Sequence, residues 1–291
     1  MYISTETGSF DAYGDIKTII KMLKDAGFDA YDYSMFYDVK SGQIFMREDY
    51  IEQAKELRRF ADSIGISCNQ AHAPYATYVT CEQYHGMPKD EYNAFAHKSV
   101  TRAIEIAGIL GARIIVVHPR DDGTVKENAT LYQSFEETAR KAGVKIAVEN
   151  MWNWEDGAPT ATIAACSHHD DFKAHMDLLN KDVFVACLDI GHAEMRGLNT
   201  SAVQMIETLK DDLQALHIHD IDLTYDNHSL PYTKSVDFEK ILKALKLINY
   251  QGDITLESCC YVQFFPLELY PHVAKLMAAV ANYMRKYLQG K

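Results

Sequence analysis

The sequence has no long uninterrupted apolar run and no excess of basic residues. None of its stretches approaches the roughly 20 consecutive apolar residues of a membrane-spanning helix. The start, MYISTETGSF, lacks the basic segment and apolar run of a secretory signal. Its 41 acidic and 29 basic residues give a formal net charge of −12, which repels nucleic acid and anionic membranes. We therefore expect a cytoplasmic protein with no membrane partner, and a nucleic-acid partner is disfavoured.

Cysteine spacing and the absence of linkers exclude further classes. The six cysteines contain no CxxC pair, so a zinc ribbon or a redox pair is not indicated, and free thiols are expected. No Pro/Gly/Ser-rich linker or low-complexity run divides the 291 residues. The chain is 47% hydrophobic and long enough to bury a sizeable core. We predict a single domain over residues 1–291.

Short β-rich runs alternate with segments of helical periodicity along the chain. The eight candidate strands are YIST from Tyr2, FDAYDYS from Phe28, ISCNQAH from Ile66, RIIVVHP from Arg113, VKIAVEN from Val144, VFVACLDIGH from Val183, LQALHIHD from Leu213 and DITLES from Asp253. Between them apolar residues recur at helical spacing, and Gly27 and Gly65 are expected to end two of the helices. Runs such as IIVV indicate strands buried on both faces, as in a parallel sheet covered by helices. Eight such units predict a closed (β/α)8 TIM barrel, with a doubly wound open sheet as the alternative.

Residue types that bind metals stand at the ends of six successive predicted strands. They are His72, His118, Glu149, Asp189 with His192, His217 with His219, and Glu257. In a barrel the carboxyl ends of all strands meet at one mouth, so these side chains are expected to be neighbours. A lone histidine at a strand end is more often structural, but Glu149 and Glu257 follow apolar runs, and a buried carboxylate needs a cation, an arginine or a shifted pKa. Arginine is scarce at these strand ends, so the sequence favours a metal.

The motifs AHAP, VVHP, AVEN, LDIGH, HIHD followed by DNH, and LES resemble those of the xylose isomerase-like TIM barrels. This superfamily contains sugar isomerases and epimerases and the type IV apurinic endonucleases, and the resemblance is strongest from Ile66 to Ser258. It implies a shared metal site formed by Glu149, Asp189, His217 and Glu257, with His219 as the alternative to His217. It also implies a divalent cation, with Mn²⁺ first and Zn²⁺, Co²⁺ or Mg²⁺ as alternatives.

Further residues match the type IV endonucleases, which by this resemblance hold three zinc ions. The counterparts in this chain are His72, His118, His192, Asp226 and His228. Sugar-processing members carry the same outer histidines, so these residues are candidates for additional metal or substrate ligands. In those members a Gly-Glu-Gly segment follows the Asp-x-His motif, whereas this chain has Tyr232, Thr233 and Lys234 there, which leaves the substrate open.

Three functions follow from the resemblance. In a metal-dependent sugar isomerase or epimerase, Glu149 and Glu257 would remove and return a proton through an enediolate. In an endonuclease IV-like zinc phosphodiesterase, the metals would cleave abasic DNA, but the net charge of −12 and the few basic residues in the strand-end loops weigh against this. A non-catalytic barrel that binds sugar or metal has no need of paired acid/base groups. We therefore predict the sugar isomerase or epimerase, with carbohydrate as its small-molecule partner.

Aromatic residues in the strand-end loops suit a small polar ligand. Trp152 and Trp154, close behind Asn150, are expected to line the substrate pocket with that residue. Tyr75, Tyr78 and Tyr84 follow His72 in the same way, and packing within the loops or a subunit interface is the alternative for all these aromatics. Arg120 is a candidate for a phosphate or carboxylate group of the substrate, with surface solvation as the alternative.

The run from His168 to Asp171 resembles a metal site in composition. It is better explained as the start of a helix capped by an aspartate or a serine. Barrels with long strand-end loops often pair through those loops, so a homo-oligomer is left open.

Overall fold

Strands and helices alternate throughout this computed structural model, which describes residues 1–36, 44–75, 79, 81–84 and 86–290. All eight predicted strands are present. Their bounds are β1 (Ile3–Thr5), β2 (Ala30–Ser34), β3 (Ser67–His72), β4 (Ile114–Val117), β5 (Lys145–Glu149), β6 (Phe184–Asp189), β7 (Leu213–His217) and β8 (Ile254–Leu256). A short antiparallel pair, Gln83–Tyr84 with Met87–Pro88, lies in the connection after β3.

The eight strands close into one parallel barrel. Strands β2 to β7 form a continuous sheet in chain order, and β1 pairs with β8 in parallel. Single parallel bridges join the two sheets on both sides: Glu6 pairs with Asp32, and Ile218 pairs with Leu256. The predicted (β/α)8 TIM barrel is thereby confirmed, and the open doubly wound sheet is wrong.

Helices cover the outside of the barrel. Their bounds in the described residues are α1 (Ile16–Ala26), α2 (Tyr50–Ile64), α3 (Lys89–Leu110), α4 (Val125–Gln133), α5 (Glu136–Ala142), α6 (His169–Asp177), α7 (Ile190–Ala193), α8 (Ala202–Leu209), α9 (Phe238–Leu247), α10 (Cys259–Val262) and α11 (Tyr270–Leu288). Short 3-10 turns span Gly8–Tyr13, Ile44–Met46, Lys210–Asp212 and Leu267–Leu269. None of the described helices combines the length and the apolar content that crossing a lipid bilayer requires.

Helix ends follow the sequence signals in two of the three places where a specific cap was predicted. Gly27 ends α1 and Gly65 ends α2, both with left-handed backbone (φ 104° and 70°), which glycine adopts without a Cβ penalty. The cap predicted for α6 is wrong: it is neither an aspartate nor a serine. The imidazole of His168 occupies that position, and its Nδ1 accepts a hydrogen bond from the backbone N–H of Asp170 (3.3 Å).

Successive side chains of each strand point to opposite faces of the sheet, which gives two separate apolar layers. One face of the sheet points inward and forms a small buried cluster of Val116, Ala147, Val185, Cys187 and Ala215. The opposite face packs against the helices in a much larger core. All six cysteines are free thiols, as the sequence predicted. Small apolar side chains of β4 to β7 therefore fill part of the barrel interior, and buried polar side chains lie at both ends, as Glu149 does at the carboxyl end and Asp253 at the amino end.

Candidate active site

Four of the predicted metal ligands converge where strands β5 to β8 end. Glu149, Asp189 and His217 are the last residues of β5, β6 and β7, and Glu257 directly follows β8. The strand register pairs Asp189 with His217, so neighbouring strands present their last residues side by side. One ligand atom from each of the four residues lies within 4.8 Å of the others, and all four side chains are buried.

His217 joins the two glutamates of this group. Its Nδ1 lies 2.7 Å from Glu149 Oε1 and 3.4 Å from Glu257 Oε2. Burial raises the pKa of Glu257 to about 8, although His217 and His228 act to lower it. Burial also acts to raise the pKa of Glu149, but the imidazoles of His217 and His118 outweigh it and hold that pKa well below its usual range. The paired carboxylates therefore have unequal acidity.

Asp189 is fixed by neighbours on two strands. The Asn150 side-chain amide donates to the Asp189 carbonyl (2.9 Å) and accepts from the Asp189 N–H (2.8 Å), which clamps the end of β6 to β5. His219 Nε2 lies 2.9 and 3.1 Å from the two Asp189 carboxylate oxygens. Asn150, predicted to contact substrate, is thus fully buried and used in holding Asp189.

A second group of metal-ligand types lies beside the first. His192, His219, Asp226 and His228 also present ligand atoms within 4.8 Å of one another. Asp226 Oδ2 lies 3.3 Å from His192 Nε2 and 3.0 Å from His228 Nε2. Burial acts to lower the pKa of His192, but Asp189 and Asp226 outweigh it and raise that pKa to about 10. The loop motif DNH therefore folds back onto the end of β6, where the sequence placed it only by resemblance.

The outer histidines of β3 and β4 approach Glu149 from its other side. His118 Nε2 lies 3.0 Å and His72 Nε2 lies 3.5 Å from Glu149 Oε2, and the two rings meet edge to face with centroids 4.8 Å apart. Neither contact is an aligned hydrogen bond, because Glu149 Oε2 has no hydrogen-bond partner among the described residues. Glu149 thus belongs to two potential ligand groups. One contains Asp189, His217 and Glu257, and the other contains His72 and His217.

Unpaired buried atoms test whether these residues fit a metal ion. Among the described residues, Glu149 Oε2, His219 Nδ1 and Asp226 Oδ1 are buried at the mouth without a hydrogen-bond partner. Each such atom costs about 1–3 kcal/mol in a folded protein. Carboxylate oxygens and neutral imidazole nitrogens are the usual donors to Mn²⁺, Zn²⁺ and Co²⁺. The donor set therefore fits a divalent cation.

The sequence profile of the xylose isomerase-like TIM barrel family matches residues 20–287. The chain belongs to this family. It is similar to the uncharacterized protein y4fM of Sinorhizobium fredii, with 24% identity over 271 residues, 84% of this chain and 81% of that protein. The crystal structure of a D-psicose 3-epimerase in the presence of D-fructose is similar over 98% of this chain and 99% of that chain (TM-score 0.72, 15% identity). The IOLI protein, crystallised with a zinc atom, covers 99% and 98% (TM-score 0.69, 14% identity). At these identities the two structures establish the fold.

The mouth of this xylose isomerase-like barrel holds a small pocket of about 230 Å³. The residues that line it are His72, Tyr75, His118, Glu149, Met151, Trp152, His192, Asp226, His228 and Glu257. Trp152 packs edge to face against His192, with ring centroids 6.4 Å apart. Two of the predicted aromatics, Trp152 and Tyr75, thus form part of the pocket wall.

Other predicted contact residues lie elsewhere. Trp154 stacks on Tyr225 with ring centroids 5.9 Å apart and is absent from the described pocket lining. The Arg120 guanidinium contacts Asp122 (2.7 Å) and Glu127 (3.2 Å), so it is paired on the surface. Tyr84 packs against Tyr92. Tyr78 lies outside the described residues.

Two buried carboxylates at the first two strands are absent from the predicted site residues. Glu6 follows β1 and Asp32 lies within β2, and both side chains are buried. Ser9 donates a hydrogen bond to Glu6 Oε1 (2.6 Å), and Asp32 Oδ2 lies 3.7 Å from His217 Nε2. Burial raises the pKa of Glu6 to about 7, although its hydrogen bond from Ser9 acts to lower it. An acidic residue directly after YIST was the available signal for Glu6, whereas Asp32 stands inside an apolar and aromatic run.

Proposed function

We propose that this chain is a divalent-metal-dependent isomerase or epimerase of a sugar, a sugar phosphate or a keto-polyol, with residues 1–291 acting as one domain. The observation that carries the proposal is the buried convergence of Glu149, Asp189, His217 and Glu257 beneath a small pocket. Aromatic faces suit the C–H surfaces of a carbohydrate, and Trp152 supplies one at the pocket wall. The likeness in fold to a D-psicose 3-epimerase supports the same substrate class.

The four converging residues would hold the cation. When bound, it would polarise a substrate carbonyl and stabilise the negative charge that develops beside it. We expect Mn²⁺ first, with Zn²⁺, Co²⁺ and Mg²⁺ as alternatives, because a site of one imidazole and three carboxylates binds each of these cations. The zinc atom of the structurally similar IOLI protein is in keeping with this choice.

The two glutamates would move the proton. Both carboxylates lie beside the same imidazole nitrogen of His217 and both line the pocket. One would remove the proton from the carbon beside the carbonyl, giving an enediolate, and the other would return a proton. Return to the opposite face of the same carbon is epimerisation, whereas return to the neighbouring carbon is isomerisation. Trp152 would exclude water from this exchange.

A second candidate function is a zinc phosphodiesterase that acts on abasic DNA. The observation that favours it is the presence of two outer ligand groups, His72 with His118 and His192 with Asp226 and His228. The charge pattern opposes it: the chain carries a net charge of −12, and neither lysine nor arginine is among the described residues that line the pocket. Binding a DNA backbone requires basic contacts to phosphate.

Metal analysis followed by a deuterium exchange assay tests the proposal. The purified protein, loaded with Mn²⁺, is incubated in deuterium oxide with a panel of ketoses, and exchange of the proton beside the carbonyl is followed by NMR. We expect exchange with at least one ketose. Glu149→Gln and Glu257→Gln should each slow it by at least about 10²-fold, because each removes an acid/base group.

Glu105→Gln is the matched control. Glu105 lies on α3 outside the barrel, where its carboxylate accepts from the Tyr50 hydroxyl, so its loss should leave exchange unchanged. Three tightly bound zinc ions per chain, no exchange with any ketose and cleavage of abasic DNA would together replace the first candidate by the second.

A further inference from the structure

A row of buried polar side chains lies directly beneath His217. Gln70 Nε2 donates a hydrogen bond to Asp32 Oδ2 (2.8 Å), and the same oxygen lies 3.7 Å from His217 Nε2. On its other side, His217 Nδ1 lies 2.7 Å from Glu149 Oε1. The side chains of Gln70, Asp32 and His217 are all nearly inaccessible to solvent. The two nitrogens of the imidazole therefore face different carboxylates.

The pairing of β2 with β3 places Asp32 in this row of polar side chains. The β2–β3 register slips by one residue between Tyr31 and Asp32, so Asp32 stands opposite Gln70 rather than Asn69. Irregularities of this kind re-aim a side chain and are frequent beside active sites. The Asp32 backbone is held on its other side as well, because its carbonyl accepts from the Thr7 N–H (2.9 Å). Asp32 is thus fixed by two neighbouring strands.

Two atoms in this row of polar side chains lack hydrogen-bond partners among the described residues, namely His217 Nε2 and Asp32 Oδ1. A separation of 3.7 Å is too long for a direct hydrogen bond. It is short enough for a small rotation of either side chain to form one. A carboxylate in reach of an unpaired imidazole nitrogen, both in a buried site, is the arrangement that fixes the tautomer of a metal-binding histidine.

We infer that Asp32 is a positioning residue that keeps a proton on His217 Nε2, so that the Nδ1 lone pair faces Glu149, Asp189 and Glu257. A neutral imidazole has one donor nitrogen and one acceptor nitrogen, so an acceptor beside Nε2 commits Nδ1 to the metal. Gln70 orients Asp32 for this task through its own hydrogen bond. The inference rests on the proposed function, since it assumes that His217 is a metal ligand.

A purely structural role for Asp32 predicts a different outcome. Removal of the carboxylate would then destabilise the β2–β3 pair without changing metal binding. Asp253 offers the matched control, because it is also a buried carboxylate but lies at the opposite end of the barrel. There it accepts hydrogen bonds from the Tyr2 N–H (2.7 Å) and the Asn69 side chain (3.0 Å).

The experiment compares Zn²⁺ binding by the full chain and its variants Asp32→Ala, Asp32→Asn and Asp253→Asn. Affinity is measured by calorimetry with a competing chelator, and folding is checked by circular dichroism. In parallel, the imidazole nitrogens of the 12 histidines are labelled with ¹⁵N, and the His217 signals are assigned by their loss in His217→Gln. Asp32→Asn preserves the size of the side chain and keeps the test usable if Asp32→Ala fails to fold.

We expect Zn²⁺ to shift the Nδ1 signal of His217 in the wild-type chain, and the Nε2–H proton to exchange slowly with solvent. Asp32→Ala should weaken Zn²⁺ binding about 10- to 100-fold and speed that exchange, as for other carboxylates behind metal-bound histidines. Asp32→Asn should lie between this variant and wild type, because it keeps an acceptor but loses the charge. Asp253→Asn should leave Zn²⁺ affinity unchanged.

Two results would overturn the inference. If Zn²⁺ binds His217 but both Asp32 variants keep wild-type affinity and slow exchange, Asp32 has no positioning role, while the proposed metal site stands. If Zn²⁺ leaves the His217 signals unchanged, His217 is not a ligand, and both the inference and the proposed metal site are wrong.

Discussion

Asp220 ties the loop that carries Asp226 and His228 to the end of β7. It is fully buried, and its two carboxylate oxygens accept hydrogen bonds from the backbone N–H groups of Lys234 (2.7 Å) and Val236 (2.9 Å). In Asp220→Ala the Val236 N–H is left buried and unpaired, whereas the exposed Lys234 N–H can bind water instead. An unpaired buried donor costs about 1–3 kcal/mol and a replaced bond about 0.5–1.5 kcal/mol. We therefore expect a loss of about 1.5–4.5 kcal/mol in the free energy of unfolding.

Asp222→Ala is the control in the same loop. Asp222 Oδ1 also accepts two backbone hydrogen bonds, from Thr224 and Tyr225 at 2.9 Å each, but these groups lie nearer to solvent, and Tyr225 is 60% exposed. Water can replace both bonds, so we expect a loss below about 1 kcal/mol. Urea unfolding followed by tryptophan fluorescence measures both variants. Equal losses for the two variants would refute the reasoning, because burial would then not determine the energy of these bonds.

Two further substitutions probe the packing around the site. A Cβ on Gly191 would lie 2.0 Å from His219 Cε1, so Gly191→Ala should push the imidazole off Asp189 and destabilise the fold by about 1–3 kcal/mol; an unchanged melting temperature would show that the ring turns aside without cost. The Tyr132 hydroxyl donates to the Val117 carbonyl (2.7 Å) inside the core, so Tyr132→Phe should lower the free energy of unfolding by about 1–3 kcal/mol. A urea titration that shows no loss would contradict this.

The fold was predictable from local pattern because the barrel strands are short, several of them are apolar runs, and each is followed by a helical segment. Barrel closure was less accessible, since β1 pairs Ile3 with Ile254, and only the count of eight units suggested that contact. The cap of α6 was missed for a different reason. His168 uses a ring nitrogen as the acceptor, whereas the residues favoured at that position use a side-chain oxygen.

The positions of strand-end residues could be predicted from the sequence, whereas the positions of loop residues could not. Hydrogen bonding between strands fixes where the last residue of each strand points, so Glu149 and Asp189 converge as the barrel requires. A loop residue has no such constraint: Arg120 and Trp154 follow strand ends in sequence, yet one pairs with acids on the surface and the other stacks on Tyr225. Asp32 escaped notice because the register slip that sets it opposite Gln70 leaves no mark in the sequence.

The charge of the mouth connects the two proposals and bears on the substrate. Six buried or half-buried carboxylates gather there, those of Glu6, Asp32, Glu149, Asp189, Asp226 and Glu257. Their positive partners in the described contacts are histidines, which supply at most one charge each and only when protonated. A protonated histidine cannot bind a metal, so the histidines must lose protons when a cation binds at Glu149 and His217. The cation then neutralises the carboxylates in place of those protons. Under the proposed function, Asp32 holds the single proton that His217 retains. The same concentration of carboxylates favours an uncharged sugar over a sugar phosphate, because the negative charge of the phosphate would be repelled by these carboxylates.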